Sequence, residues 1–346
     1  MPYPEACIYW AQRLGANPDS LAQLAGGMNS LLYKCSSLEA SWVVKQYPQS
    51  SSDASKRMQA ELDFLIYCSV ASPLNVAELV QVDYARRCLI LKYINGSSCP
   101  EGVSPSISQL KDAFKFFRDL NENKDLAKEH VSANAKDSFV ALLSHVELIE
   151  SRISMMSTDH IESGRRIFAS SLLDQIKTHS YNVKIMVDKE INDGSVSDLI
   201  DLNDLCISPS DFGFHNATIT ADKTIFIDFE FSGWDDPAKT CIDFVLQPRN
   251  PVNISLASAC SSFFPDVKNL YSRRTALLLK ILDLKWKIII LGLFNRERCQ
   301  SLLNLASDIQ QAQLEIQQFE RYKAYKFSSD KVLSSCHEHF PDLFPT

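Results

Sequence analysis

The 346-residue sequence has no excess of basic residues: 35 Lys and Arg stand against 42 Asp and Glu, for a formal net charge of −7. A general nucleic-acid binder usually carries a basic surface, so the composition argues against a nucleic-acid partner. The sequence also has no CxxC pair among its ten scattered cysteines. This pattern suggests neither a zinc ribbon nor a disulfide framework, and it favours reduced thiols in a cytoplasmic protein.

Long apolar runs are missing as well. The N-terminal stretch MPYPEACIYWAQRLG lacks the basic region and apolar run of a secretory signal. The most apolar segment, Ala276 to Phe294, is interrupted by charged residues, and its longest unbroken run, 288–294, cannot span a bilayer. We therefore expect a buried helix there, no membrane span, and a cytoplasmic location.

Short β-rich runs dominate the chain before about residue 95. SLLYKCSS and ASWVVKQY read as a hairpin, and ELVQVD and RCLILKYI read as a second strand pair. Between the pairs, residues 55–68 place Met58, Leu62, Leu65 and Ile66 at helical spacing.

After the loop-like segment INGSSCPEGVSPS the pattern becomes helical, with apolar stripes beginning at Leu110 and Phe139. A further hairpin, ATIT and TIFI around ADK, interrupts the helices between about 205 and 230. The sequence thus predicts an α+β protein with an N-terminal lobe at 1–95 and a mainly helical C-terminal lobe at 96–346. Clefts between such lobes are favoured ligand sites.

Two adjacent glycines, Gly26 and Gly27 in LAGGMNSLLYKC, precede the first predicted strand. Glycines there let backbone N–H groups approach phosphate oxygens closely. The segment matches neither the Walker A pattern nor GxGxxG. Taken alone, it also fits an ordinary turn.

Lys45 in WVVKQY and Glu61 on the predicted helix form a candidate ion pair. Glu61 falls on the apolar stripe, where a buried carboxylate is costly unless it is paired. A Lys–Glu pair of this kind orients an ammonium toward nucleotide phosphates. The alternatives are an edge-strand lysine facing water and a stripe-edge glutamate reaching solvent.

ISPSDFGFHN and the following hairpin supply a set of oxygen ligands. Asp211 and Asn216 are spaced DxxxxN, and Asp228 follows a strand in IFIDFE. Magnesium prefers carboxylate and amide oxygens, completed by phosphate oxygens and water. Phosphoryl transfer also needs a carboxylate that orients the attacking hydroxyl and accepts its proton. The alternative for each residue alone is a turn or cap.

These pieces, with LILKYI, IDFEFSGWDDP and CIDF, resemble the aminoglycoside phosphotransferase and choline kinase family in order over roughly residues 20 to 250. The resemblance implies a protein-kinase-like two-lobed fold with one key helix in the small lobe. It also implies ATP as co-substrate, Mg²⁺ as cofactor, and a small-molecule hydroxyl acceptor such as a sugar, an amino alcohol or an aminoglycoside.

The resemblance further implies a role for each matching residue. Asp211 is the catalytic base, and Asn216 and Asp228 hold magnesium. Lys45 contacts phosphates and is held by Glu61.

For the remaining positions the implied roles are structural or concern the nucleotide. Gly26 and Gly27 lie in the nucleotide-covering loop, and the backbone at Lys92 and Ile94 meets the adenine. Asp243 in CIDF braces the catalytic loop. Asp236 in DDP matches the family's segment after the metal-binding Asp, and the resemblance implies no particular role for it.

The family's usual His two residues before the base is replaced here by Pro209. That departure leaves an alternative function open, a nucleotide-binding pseudokinase or regulatory scaffold with little catalysis. His215 fits either loop packing or contact with phosphate or substrate. The sequence indicates no oligomeric state.

Overall fold

The β-rich segments before residue 95 form five strands: β1 (Ala22–Gln23), β2 (Leu31–Ser36), β3 (Ser41–Gln46), β4 (Leu79–Asp83) and β5 (Cys88–Lys92). They build one antiparallel sheet in the order β1-β2-β3-β5-β4. Both predicted strand pairs are confirmed. The computed structural model describes residues 3–24, 29–49, 52–265, 270–303 and 308–344.

Helix α1 (Glu5–Arg13) packs against β2 and β3. Helix α2 (Ser52–Ala71) follows β3 and contacts β5, which confirms the predicted helix. Met58, Leu62 and Leu65 are buried along it, but Ile66 is 40% exposed. Ile66 therefore lies at the exposed edge of the apolar stripe of this helix.

The rest of the chain is mainly helical, with short strands around residue 210. The further helices of the described chain are α3 (Ile107–Glu122), α4 (Lys124–His130), α5 (Leu142–Ser154), α6 (Ser163–Asn192), α7 (Pro237–Val245), α8 (Leu256–Phe263), α9 (Arg273–Ile290), α10 (Arg296–Leu303) and α11 (Asp308–Ser335). The further strands are β6 (Ser97–Ser98), β7 (Cys206–Ser208), β8 (Ala217–Ile219), β9 (Thr224–Phe226) and β10 (Gly233–Asp235). β6, β8 and β9 form one small sheet, which contains the predicted hairpin, and β7 pairs with β10.

By packing, the chain divides into two compact units. The first unit comprises Met1–Lys136 and Cys206–Asp235, and the second comprises Asp137–Leu205 and Asp236–Thr346. The first unit therefore holds the five-stranded sheet together with β7 to β10. The predicted lobe boundary at residue 95 rests on the change from strand-rich to helical sequence and not on packing. It stays a prediction.

An aromatic cluster around Phe226 of β9 forms one part of the core of the first unit. Phe116 of α3 stacks on Phe226, with ring centroids 5.0 Å apart. Phe212 lies 4.9 Å from Phe226, and Phe229 lies 4.7 Å from Phe64 of α2. Burial of large rings dominates core energetics, so this cluster ties α2, α3 and the 211–230 segment together.

The second unit is built around α9. That helix is buried over most of its length and contacts α5, α6, α7 and α11. The buried helix predicted at 276–294 is confirmed, although the α-helix ends at Ile290. Within the described ranges, no helix is long and apolar enough to cross a membrane. All ten cysteines lie in those ranges and are free thiols.

Candidate active site

Lys45 lies in the middle of the sheet. It stands on β3 between Leu32 of β2 and Leu89 of β5, and it is 3% exposed. The interpretation as an edge-strand lysine facing water is therefore wrong, because β3 is an internal strand. A buried ammonium requires partners.

Glu61 of α2 is the first of those partners. It is 1% exposed, and its Oε2 lies 2.5 Å from Lys45 Nζ. The hydroxyl of Tyr47, the residue that directly follows β3, donates a hydrogen bond to the same oxygen. Burial, and then the Glu61 carboxylate, raise the pKa of Tyr47 well above its usual value, so the phenol stays a donor.

Asp228 is the second partner of Lys45. Its Oδ1 lies 2.6 Å from Lys45 Nζ, while its side chain remains 37% exposed. Burial alone would lower the pKa of Lys45, but the carboxylates of Glu61 and Asp228 outweigh burial and raise it. The lysine therefore stays charged. Asp228 has φ of 66°, a left-handed conformation that non-glycine residues rarely adopt and that is found mostly at functional positions.

Asn216 and Asp211 lie together just before β8. Asn216 Nδ2 donates to the backbone oxygen of Asp211 at 3.0 Å and lies 3.4 Å from its Oδ2. The Asn216 backbone oxygen accepts from the N–H of Ile227 at 2.9 Å, next to Asp228. The structure thus brings Asp211, Asn216 and Asp228 to one end of the β8–β9 hairpin, as the sequence predicted.

The turn before Asp211 is held without the histidine that the family pattern leads one to expect. The N–H of Ser210 donates to Ser208 Oγ at 3.0 Å across Pro209. Such serine turns replace a backbone turn bond. Ser210 has φ of 65°, so the chain turns sharply immediately before Asp211.

Asn121 of α3 anchors the strand that leads into this turn. Its Oδ1 accepts from Ile207 N at 2.8 Å, and its Nδ2 donates to Ile207 O at 3.0 Å. Phe212 and Phe214 are buried beyond the turn. Fixed on both sides in this way, the loop holds Asp211 with 39% of its side chain exposed.

Glu230 lies two residues after Asp228 and is 5% exposed. Its Oε1 accepts from Asn29 Nδ2 at 2.6 Å. Its Oε2 lies 4.0 Å from Arg57 Nε and accepts no hydrogen bond within the described ranges. Burial, and then the charge of Asp228, raise the pKa of Glu230. The segment therefore carries more carboxylate than the nearby cations neutralise.

The donor set suits magnesium. Asn216 uses its amide nitrogen toward Asp211, which leaves its carbonyl oxygen for a ligand, and Asp228 presents a half-buried carboxylate. Among the residues that the structure describes, no group of three or more carboxylate, His or Cys side chains could hold a metal by itself. Magnesium is commonly bound by one or two protein oxygens and completed by nucleotide phosphates and water.

The predicted adenine contacts lie at the end of β5. The N–H of Lys92 already donates to Glu78 O at 2.9 Å. The N–H of Ile94 makes no hydrogen bond to the described residues, so it remains available to a ligand. Adenine binding at Lys92 and Ile94 stays a prediction. Gly26 and Gly27 lie outside the described residues.

Asp236 and Asp243 belong to the second unit. Asp236 caps α7 by accepting from Ala238 N at 2.7 Å, and it pairs with Arg274 Nη1 at 2.5 Å, which gives this residue a structural role.

Asp243, within α7, contacts Lys285 Nζ at 2.6 and 2.8 Å and Trp286 Nε1 at 2.9 Å. Burial alone would raise the pKa of Asp243, but the ammonium groups of Lys285 and Lys239 outweigh it and lower the pKa. The side-chain partners of Asp243 lie on α7 and α9. Its bracing of the catalytic loop stays a prediction.

Sequence reasoning did not assign Tyr47, Asn121 or Asn29. Tyr47 carried a signal, because a residue two positions from Lys45 on a strand shares its face. Asn121 and Asn29 act on partners 86 and 201 residues away, and nothing in their local sequence indicates this.

Comparison with solved structures identifies the fold. The chain is similar to a spectinomycin phosphotransferase in complex with ADP and spectinomycin, with a TM-score of 0.61 and 11% identity over 95% of this chain and 98% of that one. It is also similar to a choline kinase from Cryptosporidium parvum, with a TM-score of 0.54 and 12% identity over 96% of both chains. A third similar structure is a choline/ethanolamine kinase family protein from Mesorhizobium loti. Its TM-score is 0.51 and its identity is 17%, over 88% of this chain and 87% of that one.

No protein-family model matches the chain, and no curated protein matches it. The structural likeness nevertheless confirms the predicted fold class: a protein-kinase-like α+β fold with a small antiparallel-sheet lobe and a larger helical lobe. Its neighbours are aminoglycoside phosphotransferases and choline or ethanolamine kinases, the proteins that the sequence resembles.

Proposed function

We propose that the protein is an ATP-dependent phosphotransferase that moves the γ-phosphoryl group of ATP to a hydroxyl of a small molecule. One observation carries the proposal: Lys45, Glu61 and Asp228 form a buried charged network in the same unit as the adjacent pair Asp211 and Asn216. Solved small-molecule kinases share the fold, which supports the same reaction class.

In this proposal each residue acts on a stated group. Lys45, kept charged by its two carboxylates, binds phosphate oxygens of the nucleotide. Asp228 and the Asn216 carbonyl oxygen hold Mg²⁺, which supplies charge neutralisation on the phosphates. Asp211 accepts the proton of the acceptor hydroxyl while the oxygen of that hydroxyl forms a bond to the γ-phosphorus. The bond from that phosphorus to the β–γ bridging oxygen breaks, and ADP leaves.

For the acceptor we propose a sugar, an amino alcohol or an aminoglycoside-like molecule, and similarity to solved kinases supports this range. Solved neighbours include a spectinomycin phosphotransferase, a macrolide 2'-phosphotransferase and an ethanolamine kinase. Fold alone does not choose between such acceptors. We further propose a cytoplasmic location, which the ten free cysteines support.

The alternative function, a nucleotide-binding pseudokinase or regulatory scaffold, is favoured by one feature, Pro209 in place of the usual histidine. The Ser208–Ser210 turn weakens that argument, because it holds the loop by other means.

An ATP-consumption screen tests the proposal against this alternative. Wild-type protein is incubated with MgATP and sugars, amino alcohols or aminoglycosides, and ADP release is followed, while MgADP stabilisation is measured by thermal shift. Acceptor-dependent ADP release supports the phosphotransferase. Thermal stabilisation by MgADP with no ADP release for any acceptor supports the scaffold.

A further inference from the structure

His215 has an unusual environment beside Asp211. Its side chain is only 6% exposed, and its Nε2 lies 3.2 Å from Asp211 Oδ1. Neither ring nitrogen makes a hydrogen bond of good geometry with the part of the chain that the structure describes. A buried polar group without a hydrogen bond costs about 1–3 kcal/mol. The distance from Nε2 to Oδ1 is already within hydrogen-bonding range, so only the direction of the Nε2–H bond separates this contact from a hydrogen bond.

The backbone on both sides of His215 is anchored. Residues Phe214–Asn216 form a single 3₁₀ turn. Phe214 is fully buried against Phe226, with centroids 6.2 Å apart. On the other side, the Asn216 backbone oxygen is bonded to Ile227 N. The backbone on each side of His215 is therefore held in place, with the buried ring beside the Asp211 carboxylate.

The second oxygen of that carboxylate faces a different donor. Asn216 Nδ2 lies 3.4 Å from Asp211 Oδ2 and 3.0 Å from the Asp211 backbone oxygen. A carboxylate has about four lone-pair positions, and this one is 39% exposed. The His215 ring and the Asn216 amide thus approach different oxygens of the Asp211 carboxylate, where they can influence its orientation.

We propose that His215 is a positioning residue for the phosphoryl transfer, donating from Nε2–H to Asp211 Oδ1 so that the base faces the acceptor hydroxyl. This inference rests on the proposed function. It assigns to a residue four positions after the base the support that Pro209, two positions before it, cannot give. Small misplacement of a reacting group costs on the order of 10²-fold in rate.

Matched substitutions separate hydrogen bonding from packing. His215→Gln places an amide nitrogen near the Nε2 position, His215→Asn places one near Nδ1, and His215→Phe fills the space with no donor. Turnover is measured as MgATP hydrolysis with water as acceptor, and nucleotide affinity as MgADP binding by calorimetry.

We expect His215→Gln to retain most of the wild-type kcat, and His215→Asn and His215→Phe to lose about tenfold or more, with MgADP affinity unchanged in all three. Wild-type kcat in His215→Phe would overturn the inference. Equal losses in the Gln and Asn variants would also overturn it, because a packing role does not depend on where the donor lies.

Nitrogen-15 NMR of the histidine rings tests the contact without any turnover. The His215 signal is assigned by its loss in His215→Gln. We expect a proton on Nε2 and a shift of that signal in Asp211→Asn. A ring protonated only at Nδ1 would overturn the inference about His215 alone. A wild-type protein that binds MgADP but releases no ADP from MgATP with any acceptor of the screen would contradict the proposed function and remove the positioning role with it.

Discussion

His145 on α5 offers a quantitative test of the electrostatics of the second unit. It is 1% exposed. Burial, and then the nearby cations of Lys239 and Lys285, lower its pKa to about 3. In an unfolded chain the pKa of histidine is about 6.5. As the pH falls from about 6.5 toward 3, the unfolded state therefore binds a proton at this histidine and the folded state does not. Because the proton stabilises only the unfolded state, the free energy of unfolding decreases.

The size of this decrease follows from proton linkage. One proton bound only by the unfolded state changes the free energy of unfolding by about 1.4 kcal/mol per pH unit. Between about pH 7 and about pH 5, His145 should therefore cost about 2 kcal/mol. His145→Gln removes the titrating group, so its stability should fall by about 2 kcal/mol less than that of wild type over this interval.

Urea denaturation of both proteins at the two pH values measures this difference. Burial lowers the pKa of a second histidine, His179, to about 4. Because both proteins retain His179, its effect on the pH dependence of stability cancels in the comparison. Equal losses of stability in wild type and His145→Gln would refute the reasoning. Such a result would mean that the folded protein admits a proton at this buried ring.

Three further changes test the active-site region. Glu61→Ala should lower the free energy of unfolding by about 3 kcal/mol, because it removes the buried carboxylate beside Lys45 and leaves that ammonium with Asp228 alone. Glu78→Ala, which removes an ion pair exposed on both sides, should cost about 1 kcal/mol or less; similar losses in urea denaturation would contradict the buried pairing. Ser210→Gly should raise the unfolding temperature slightly, since glycine adopts φ of 65° without strain, and a lower temperature would contradict the strained turn. Asp228→Ala should weaken MgADP binding far more than binding of metal-free ADP in calorimetry, and an unchanged magnesium dependence would remove it as a metal ligand.

The sheet could be predicted wherever a strand carried its own signal. The β2–β3 and β4–β5 hairpins each join two β-rich runs of five or six residues by a short turn, and local patterning suffices for such hairpins. β7 and β10 are only three residues long and pair across more than twenty residues. Their pairing depends on tertiary contacts, which a local pattern does not contain.

Charged residues were the predictable part of the site. Lys45 and Glu61 fall in apolar surroundings, where an unpaired charge is too costly, so each implied a partner. The neutral supports were not predictable. Asn121 is an ordinary helix residue by sequence, and its bonds to Ile207 exist only because α3 packs beside β7. His215 could be noticed but not assigned, because its role depends on the side of Asp211 on which it lies.

The most direct test of the central claim compares Asp211→Asn with wild type in two measurements on the same preparations: acceptor-dependent ADP release from MgATP, and MgADP affinity. If Asp211 is the base, the substitution abolishes ADP release and leaves MgADP affinity nearly unchanged, because Lys45 and Asp228 are intact. Wild-type turnover in Asp211→Asn would contradict the account.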